Sequence, residues 1–177
     1  IRSVFPNAQI IDYYANDWGK PELAKAQAKN WYDMGVYCIF SAAGGTGNGT
    51  IAQAKEYRMQ GKNVWAIGVD SDQYEDGIYS GTDSAVLTSM LKRVENSSLM
   101  VLKAVEEGTF TGGVVQMGMA DEGVGYSTAN PKLSQNVVKL VDAAKADINN
   151  GKIKIYKTYR EALANGAAPQ GLAALDD

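Results

Sequence analysis

Residues 36–49 have the sequence VYCIFSAAGGTGNG, and this stretch decides the fold of the chain. Its first half is a continuous apolar run, which predicts a buried β-strand over residues 36–42. The glycine loop that follows leads into residues 50–60, where the pattern predicts a helix that ends at Gly61. A strand joined through a short loop to a helix is the repeating unit of an α/β protein.

Strand-like and helix-like segments alternate along the rest of the chain. The other predicted strands are residues 8–14, 64–69, 114–119 and 153–156. The other predicted helices are residues 21–34, 87–105 (capped by Asp83 or Ser84), 159–164 and a segment that opens at Asn130-Pro131 and ends at Gly151. Apolar strands joined by helices predict the α/β class, with a doubly wound, mostly parallel sheet covered on both faces.

The composition excludes several classes of function. The chain has 177 residues and a formal charge of −3, which argues against nucleic acid as a main partner. It contains no histidine, so imidazole-based catalysis and histidine metal sites are excluded. Cys38 is the single cysteine, so an intrachain disulfide and a cysteine-rich zinc site are excluded as well.

Two loops should meet at the carboxyl edge of the predicted sheet. One is the glycine loop of residues 42–49, and the other contains Asp70 and Asp72 after the strand 64–69. Ligands of open α/β sheets bind beyond this edge. Asp70 directly ends an apolar strand, where its carboxylate needs hydrogen-bond donors, and a sugar diol supplies two. Helix capping or a solvated loop charge is the alternative interpretation of both aspartates.

The glycine loop by itself leaves several nucleotide-binding interpretations open. Gly49 is followed by Thr50 and Ile51, so the lysine of a Walker A loop is missing. The run GGTGNG also looks like the phosphate loop of tubulin-like GTPases, but no further acidic catalytic loop is visible. Gly47-x-Gly49-x-x-Ala52 matches a dinucleotide fingerprint, and Asp72 lies 20 residues beyond Ala52, where a ribose-binding acid is expected. A Rossmann-type oxidoreductase domain is therefore one alternative, and a glycine turn without a ligand is another.

Other polar and aromatic side chains have ordinary structural interpretations. Lys92 falls within the predicted helix 87–105, where a lysine is normally a solvated charge. The aromatic residues interpreted as core or rim, rather than as a stacking platform, are Trp18, Trp31, Tyr32 and Trp65.

Four stretches together resemble a known family. They are FSAAGGTGNG (40–49), IGVDSDQ (67–73), VLTSMLKRV (86–94) and the looser MGMADEGVG (117–125). In this order and spacing they resemble the basic membrane protein family of substrate-binding proteins, the nucleoside-binding lipoproteins that serve ABC transporters. The resemblance covers about residues 10–155.

The resemblance implies a domain organisation. Members have a type I periplasmic-binding-protein-like fold of two lobes, with the ligand trapped between them. Residues 1–156 resemble the second, C-terminal lobe, including a crossover segment near residues 120–156, and residues 157–177 form a C-terminal tail. The first lobe is expected to be absent from this chain.

The resemblance also implies roles for four residues. Asp70 matches the acid that hydrogen-bonds the ribose hydroxyls, and Lys92 matches a lysine that reaches the same sugar from the neighbouring helix. Ala43 and Gly44 lie where the chain passes close to the ligand. The implied activity is binding without catalysis, and no cofactor or metal is expected.

The expected partners follow from the same resemblance. They are a nucleoside, the permease of an ABC transporter, and the first lobe of the same protein. A purine nucleoside is the expected ligand. A lipid anchor upstream would be the only attachment to the membrane. The expected location is extracytoplasmic, in the periplasm or on the outer face of the cell membrane.

Overall fold

The computed structural model describes residues 4–5 and 7–168, which fall into two compact units. The first unit contains the described residues up to Lys92 together with Tyr126–Lys132. The second contains Arg93–Gly125 and the described residues from Leu133 onward. The predicted C-terminal tail is described only as far as residue 168, and its last residues, 169–177, lie outside the described part.

The first unit is built on a mostly parallel sheet, as the sequence predicts. Its helices and strands are α1 (Pro21–Asp33), β1 (Cys38–Phe40), α2 (Asn48–Met59), β2 (Trp65–Asp70), β3 (Ile78–Ser80), β4 (Asp83–Ser84) and β5 (Val86–Lys92). Strand β1 pairs in parallel with β2, and β2 pairs in parallel with β5. The sheet order is β1-β2-β5-β6, where β6 is Val124–Tyr126, and β3 and β4 form a separate antiparallel pair.

Helices α1 and α2 supply much of the core of this unit. Their buried side chains pack with those of the sheet and of the segments beside it. The cluster consists of Ala28, Tyr32, Ile39, Ile51, Ala54, Tyr57, Val64, Ala66, Ala85 and Val86. Gly35 and Gly61 follow the two helices at φ +93° and +79°, a backbone conformation that glycine adopts without steric cost. The predicted ends of both helices are thereby confirmed to within a residue or two.

Cys38 lies in β1 with its side chain half-buried. Burial raises the pKa of its thiol to about 11, because the thiolate would lose its hydration. In this position Cys38 serves as a small apolar side chain of the strand.

The predicted strand over residues 8–14 is wrong. These residues form no strand, and Ile10, Ile11, Tyr13 and Tyr14 are about half-exposed. An apolar run becomes a strand only when a neighbouring strand pairs with its backbone, and the described sheet places no strand beside this segment. Tyr13 instead makes an edge-to-face contact with Trp31 of α1, with ring centroids 6.5 Å apart.

The predicted helix over residues 87–105 is wrong in its first part and confirmed in its second. Residues Val86–Lys92 form β5, and only Val94–Glu106 form a helix, α3. Leu87, Met90 and Leu91 have helical spacing, but their backbone groups pair with β2 in the register Ala66↔Val86 to Asp70↔Leu91. Tertiary pairing overrides periodicity here.

Asp83 and Ser84 do not cap this helix, because both lie in β4. The Asp83 carboxylate forms an ion pair with Lys132, with 2.7 Å between Oδ1 and Nζ. The Ser84 hydroxyl donates a hydrogen bond to the Tyr74 carbonyl at 2.7 Å.

The second unit contains three helices and none of the strands predicted there. The helices are α3, α4 (Gln135–Asn149) and α5 (Tyr159–Ala164), and α5 confirms the prediction for residues 159–164. Residues 114–119 and 153–156 form no strands; no residue in either segment is buried, and Val114 is 100% exposed. Strands require a neighbour that the described part of this unit does not supply.

The helix predicted to open at Asn130-Pro131 instead begins at Gln135. Ser134 caps it, because its hydroxyl accepts a hydrogen bond from the Val137 amide at 3.3 Å. Asn130 is 3% exposed, and its side-chain amide donates to the Val86 carbonyl at 2.7 Å. Asn130 thus anchors the segment 126–132 to β5.

No helix within the described residues is long and apolar enough to span a membrane.

Candidate functional site

Asp70 and Lys92 lie together at the carboxyl edge of the sheet. Each is the last residue of its strand, and β2 and β5 are parallel neighbours with Asp70 opposite Leu91. This register places the ammonium of Lys92 2.8 Å from Asp70 Oδ1. Lys92 therefore extends from a strand, and the prediction that it extends from a helix is wrong. Its predicted closeness to Asp70 is found in the structure.

The backbone of Asp70 adopts an unusual conformation. Its φ is +67°, in the left-handed region that only a few non-glycine residues occupy. Such a conformation costs about 1–3 kcal/mol and concentrates at functional sites. The Asp70 side chain is 49% exposed, so its carboxylate is open to a ligand while it is paired with Lys92.

The glycine loop reaches the same edge of the sheet from β1. It forms a 3₁₀ turn over Gly44–Gly47 that runs directly into α2. The register of β1 on β2, with Phe40 opposite Ile67, brings the ends of the two strands to one edge. Ala43 and Gly44 are partly exposed there, in the region where the sequence predicts them.

A short segment before α1 packs on the glycine loop. The Thr46 amide donates to the Trp18 carbonyl at 3.0 Å, and the Thr46 hydroxyl donates to the Asp17 carbonyl at 2.7 Å. A Cβ built on Gly44 would lie 3.3 Å from Trp18 Cε3. The indole of Trp18 therefore lies against the loop, and the residue is 74% exposed.

The family model for PnrA-like substrate-binding proteins of ABC transporters, Bmp, matches residues 1–159. The chain belongs to the Bmp family. The resemblance inferred from its four motifs is thereby confirmed.

Relatives and solved structures agree with this assignment. The chain is 37% identical to the CD4+ T-cell-stimulating antigen of Listeria monocytogenes, over 88% of this chain and 45% of the relative. It is 30% identical to the ABC transporter nucleoside-binding protein BmpA of Lactococcus lactis, over 87% of this chain and 46% of the relative. A solute-binding protein of an ABC transporter system from Aeropyrum pernix superposes with a TM-score of 0.73 at 23% identity, covering 94% of this chain and 55% of that structure.

These comparisons support the fold and class that the sequence predicts. The Bmp chain has the α/β fold of one periplasmic-binding-protein-like lobe, and it spans less than half the length of these two curated relatives. Proteins of this family are extracytoplasmic binding proteins of ABC transporters, which implies a small-molecule ligand and a transporter partner. The family is not one of enzymes, so the alternative of a Rossmann-type oxidoreductase is wrong.

The contacts of Asp72 and Gly49, two residues of the dinucleotide fingerprint, give both of them structural roles. Asp72 Oδ2 accepts a hydrogen bond from the Ser127 hydroxyl at 2.7 Å, and Oδ1 accepts one from the Tyr74 amide at 3.1 Å. Gly49 is buried, and a Cβ built on it would lie 1.8 Å from the Pro21 carbonyl oxygen. In the Bmp chain Asp72 thus organises a turn, and Gly49 allows α2 to approach the start of α1.

Sequence reasoning missed two features of the site. Tyr32 and Trp65 are buried, as predicted, but the exposed Trp18 borders the glycine loop. Gln73 folds back from the turn after Asp70 and contacts both loops. Its place directly after Asp-Ser-Asp was a weak signal, because sequence alone does not show where a turn residue points.

Proposed function

We propose that this protein captures purine nucleosides and delivers them to the permease of an ABC transporter. The observation that carries the proposal is the Asp70–Lys92 pair at the carboxyl edge of the sheet. A carboxylate can accept hydrogen bonds from both hydroxyls of a ribose, and an ammonium can donate to a hydroxyl oxygen. The nucleoside-binding function named for the relative from Lactococcus lactis supports the same ligand class.

The glycine loop would contact the remainder of the ligand. Ala43 and Gly44 present little side chain, so a ligand could approach their backbone closely. The exposed indole of Trp18 beside Gly44 offers a face on which a base could stack. A purine has the larger ring system of the two base classes and would cover more of that face.

The facing half of the cleft is proposed to come from sequence outside this chain. No residue of α3 or α4 is buried, although both helices carry apolar residues. The exposed ones include Leu99, Leu102, Leu140 and Val141. The chain spans less than half the length of these two curated relatives. A first lobe that covers these helices would account both for their exposed apolar residues and for the missing length. A lipid anchor on the N-terminal side of that lobe would hold the protein at the membrane.

The first prediction tests the ligand class. The protein, produced with any sequence that precedes Ile1 in its natural gene, should bind guanosine, adenosine and inosine in isothermal titration calorimetry. Free ribose should bind far more weakly, because it offers the diol without a base. Binding of NAD with no binding of any nucleoside, or no heat from the whole panel, would contradict the proposal.

The second prediction tests the base contact. Saturation with guanosine should quench tryptophan fluorescence by stacking on Trp18, and Trp18→Phe should abolish most of that change. Trp65 is buried and should keep its emission, so Trp65→Phe serves as the matched control. A quench that survives in Trp18→Phe would place the base elsewhere.

A further inference from the structure

Gln73 lies in the turn after Asp70, and its side chain folds back over the end of β2. Its Oε1 accepts a hydrogen bond from the Val69 amide at 3.0 Å, and its own backbone amide donates to the Ser89 hydroxyl at 3.0 Å. Ser89 is fully buried in β5. These two bonds fix the turn on either side of Asp70.

Gly68 provides the space that this arrangement needs. A Cβ built on Gly68 would lie 2.6 Å from the Ser89 hydroxyl and 2.9 Å from Gln73 Oε1. Any side chain at residue 68 would therefore push the Gln73 amide away from the Val69 amide. The glycine and the glutamine act together to shape the backbone that leads into Asp70.

The other end of the Gln73 side chain reaches the glycine loop. Its Nε2 donates to Asn48 Oδ1 at 3.1 Å and to Asp76 Oδ2 at 3.2 Å. Asn48 is the first residue of α2 and follows the 3₁₀ turn directly. One amide group thus contacts both loops that form the candidate site.

We infer that Gln73 is a positioning residue that links the glycine loop to Asp70. Its acceptor holds the strand end, from which Asp70 enters the left-handed conformation, and its hydrogen bond to Asn48 holds the start of α2. The spacing between the carboxylate and the loop is then set before a ligand arrives, and such preorganisation raises affinity. This inference rests on the proposed function, in which Asp70 binds the ligand.

A glutamate substitution with a matched rescue tests the link. Gln73→Glu keeps an acceptor for the Val69 amide, but it removes both donors and places a carboxylate beside that of Asp76. We expect guanosine affinity to fall about tenfold in calorimetry, because preorganisation is lost while Asp70 and Lys92 remain. Adding Asp76→Asn removes the charge repulsion and supplies an amide that can donate to the new carboxylate. The Asn48 amide, turned by 180°, can donate to the same carboxylate, so the link to the glycine loop is restored and the double variant should recover most of the affinity.

Two readouts separate this role from simple stabilisation and from failure of the proposed function. Without ligand, Gln73→Glu should shift the amide resonances of Asp70 and of Asn48 in NMR spectra, and the double variant should move them back. Gln60→Glu, the same change at the exposed far end of α2, should affect neither the resonances nor the affinity.

Unchanged resonances in Gln73→Glu with affinity within twofold of the parent would overturn the inference. So would a lowered melting temperature that the double variant restores without restoring affinity. If the parent protein itself does not bind guanosine, the proposed function fails, and the resonances still test the link.

Discussion

Asp70→Asn should lower the affinity for purine nucleosides by about 30- to 1000-fold, the largest functional effect expected of any change in this chain. Hydrogen bonds to a charged acceptor contribute about 1.5–3 kcal/mol each where water is excluded, and the substitution removes the charge and half of the acceptor capacity. Asparagine tolerates the left-handed backbone of residue 70, so the local conformation should persist. Calorimetry with guanosine, on the protein that includes any natural sequence before Ile1, measures the loss.

The ligand itself supplies the control for this prediction. A 2′,3′-dideoxynucleoside has no diol, so Asp70→Asn should hardly change its affinity. Lys92→Met should also weaken guanosine binding, but less, because the lysine donates only to the sugar and orients Asp70. Both groups are about half-exposed, so neither change should move the melting temperature appreciably. Unchanged guanosine affinity together with a lowered melting temperature in Asp70→Asn would make this residue a structural part of the turn.

Gly49→Ala should lower the free energy of unfolding by about 3 kcal/mol, the largest stability effect expected. A Cβ at this residue would lie 1.8 Å from the Pro21 carbonyl oxygen and 2.8 Å from the Lys25 amide nitrogen. Both contacts are with backbone, so no side chain can rotate away to relieve them. Helices α1 and α2 would have to separate, and the core between them would loosen. Urea denaturation followed by circular dichroism measures the change.

Gly19→Ala is the matched control for this stability prediction. It lies in the segment before α1, and a Cβ there would meet only the Asp17 carboxylate at 3.8 Å, an ordinary contact. We expect it to leave stability within about 0.5 kcal/mol of the parent. Equal stability of Gly49→Ala and Gly19→Ala would show that the two helices can adjust at no cost, and that their close approach does not require glycine at residue 49.

The parts of the fold that the sequence predicts correctly are those with local signals. Pro21 at the start of α1, Gly35 after its end, and Gly61 after α2 mark helix ends by their own backbone preferences. The strand predicted at residues 64–69 is apolar throughout and flanked by polar residues, and β2 follows it closely. These signals require no knowledge of distant residues.

The errors arise where distant residues decide the conformation. Residues 86–92 have a helical spacing of apolar side chains, but residues 86–91 pair with β2. Residues 8–14 show the opposite error, because they have a strand-like composition but no strand of the described sheet pairs with them. Periodicity measures which side chains could be buried together and does not measure which backbone lies beside them.

The same distinction between local signals and distant contacts applies to the residues of the candidate site. Asp70 was predictable because it directly ends a buried strand, and the four motifs indicated Lys92 through family resemblance. The contribution of Gln73 depends on contacts with Asn48 and Val69, which lie on separate strand and helix ends. The exposure of Trp18 depends on how the segment before α1 packs on Gly44. Neither can be derived from composition or spacing.

The half-buried thiol of Cys38 makes this protein suitable for conversion into an optical sensor. Because burial raises its pKa to about 11, Cys38 carries little of the reactive thiolate at neutral pH. A maleimide dye would therefore leave Cys38 largely unmodified and react with an exposed cysteine introduced beside the site. Ser71 is exposed and follows Asp70 directly, so Ser71→Cys would carry the dye at the rim of the candidate site. The natural cysteine need not be removed first, so the core around β1 stays intact in such a reporter.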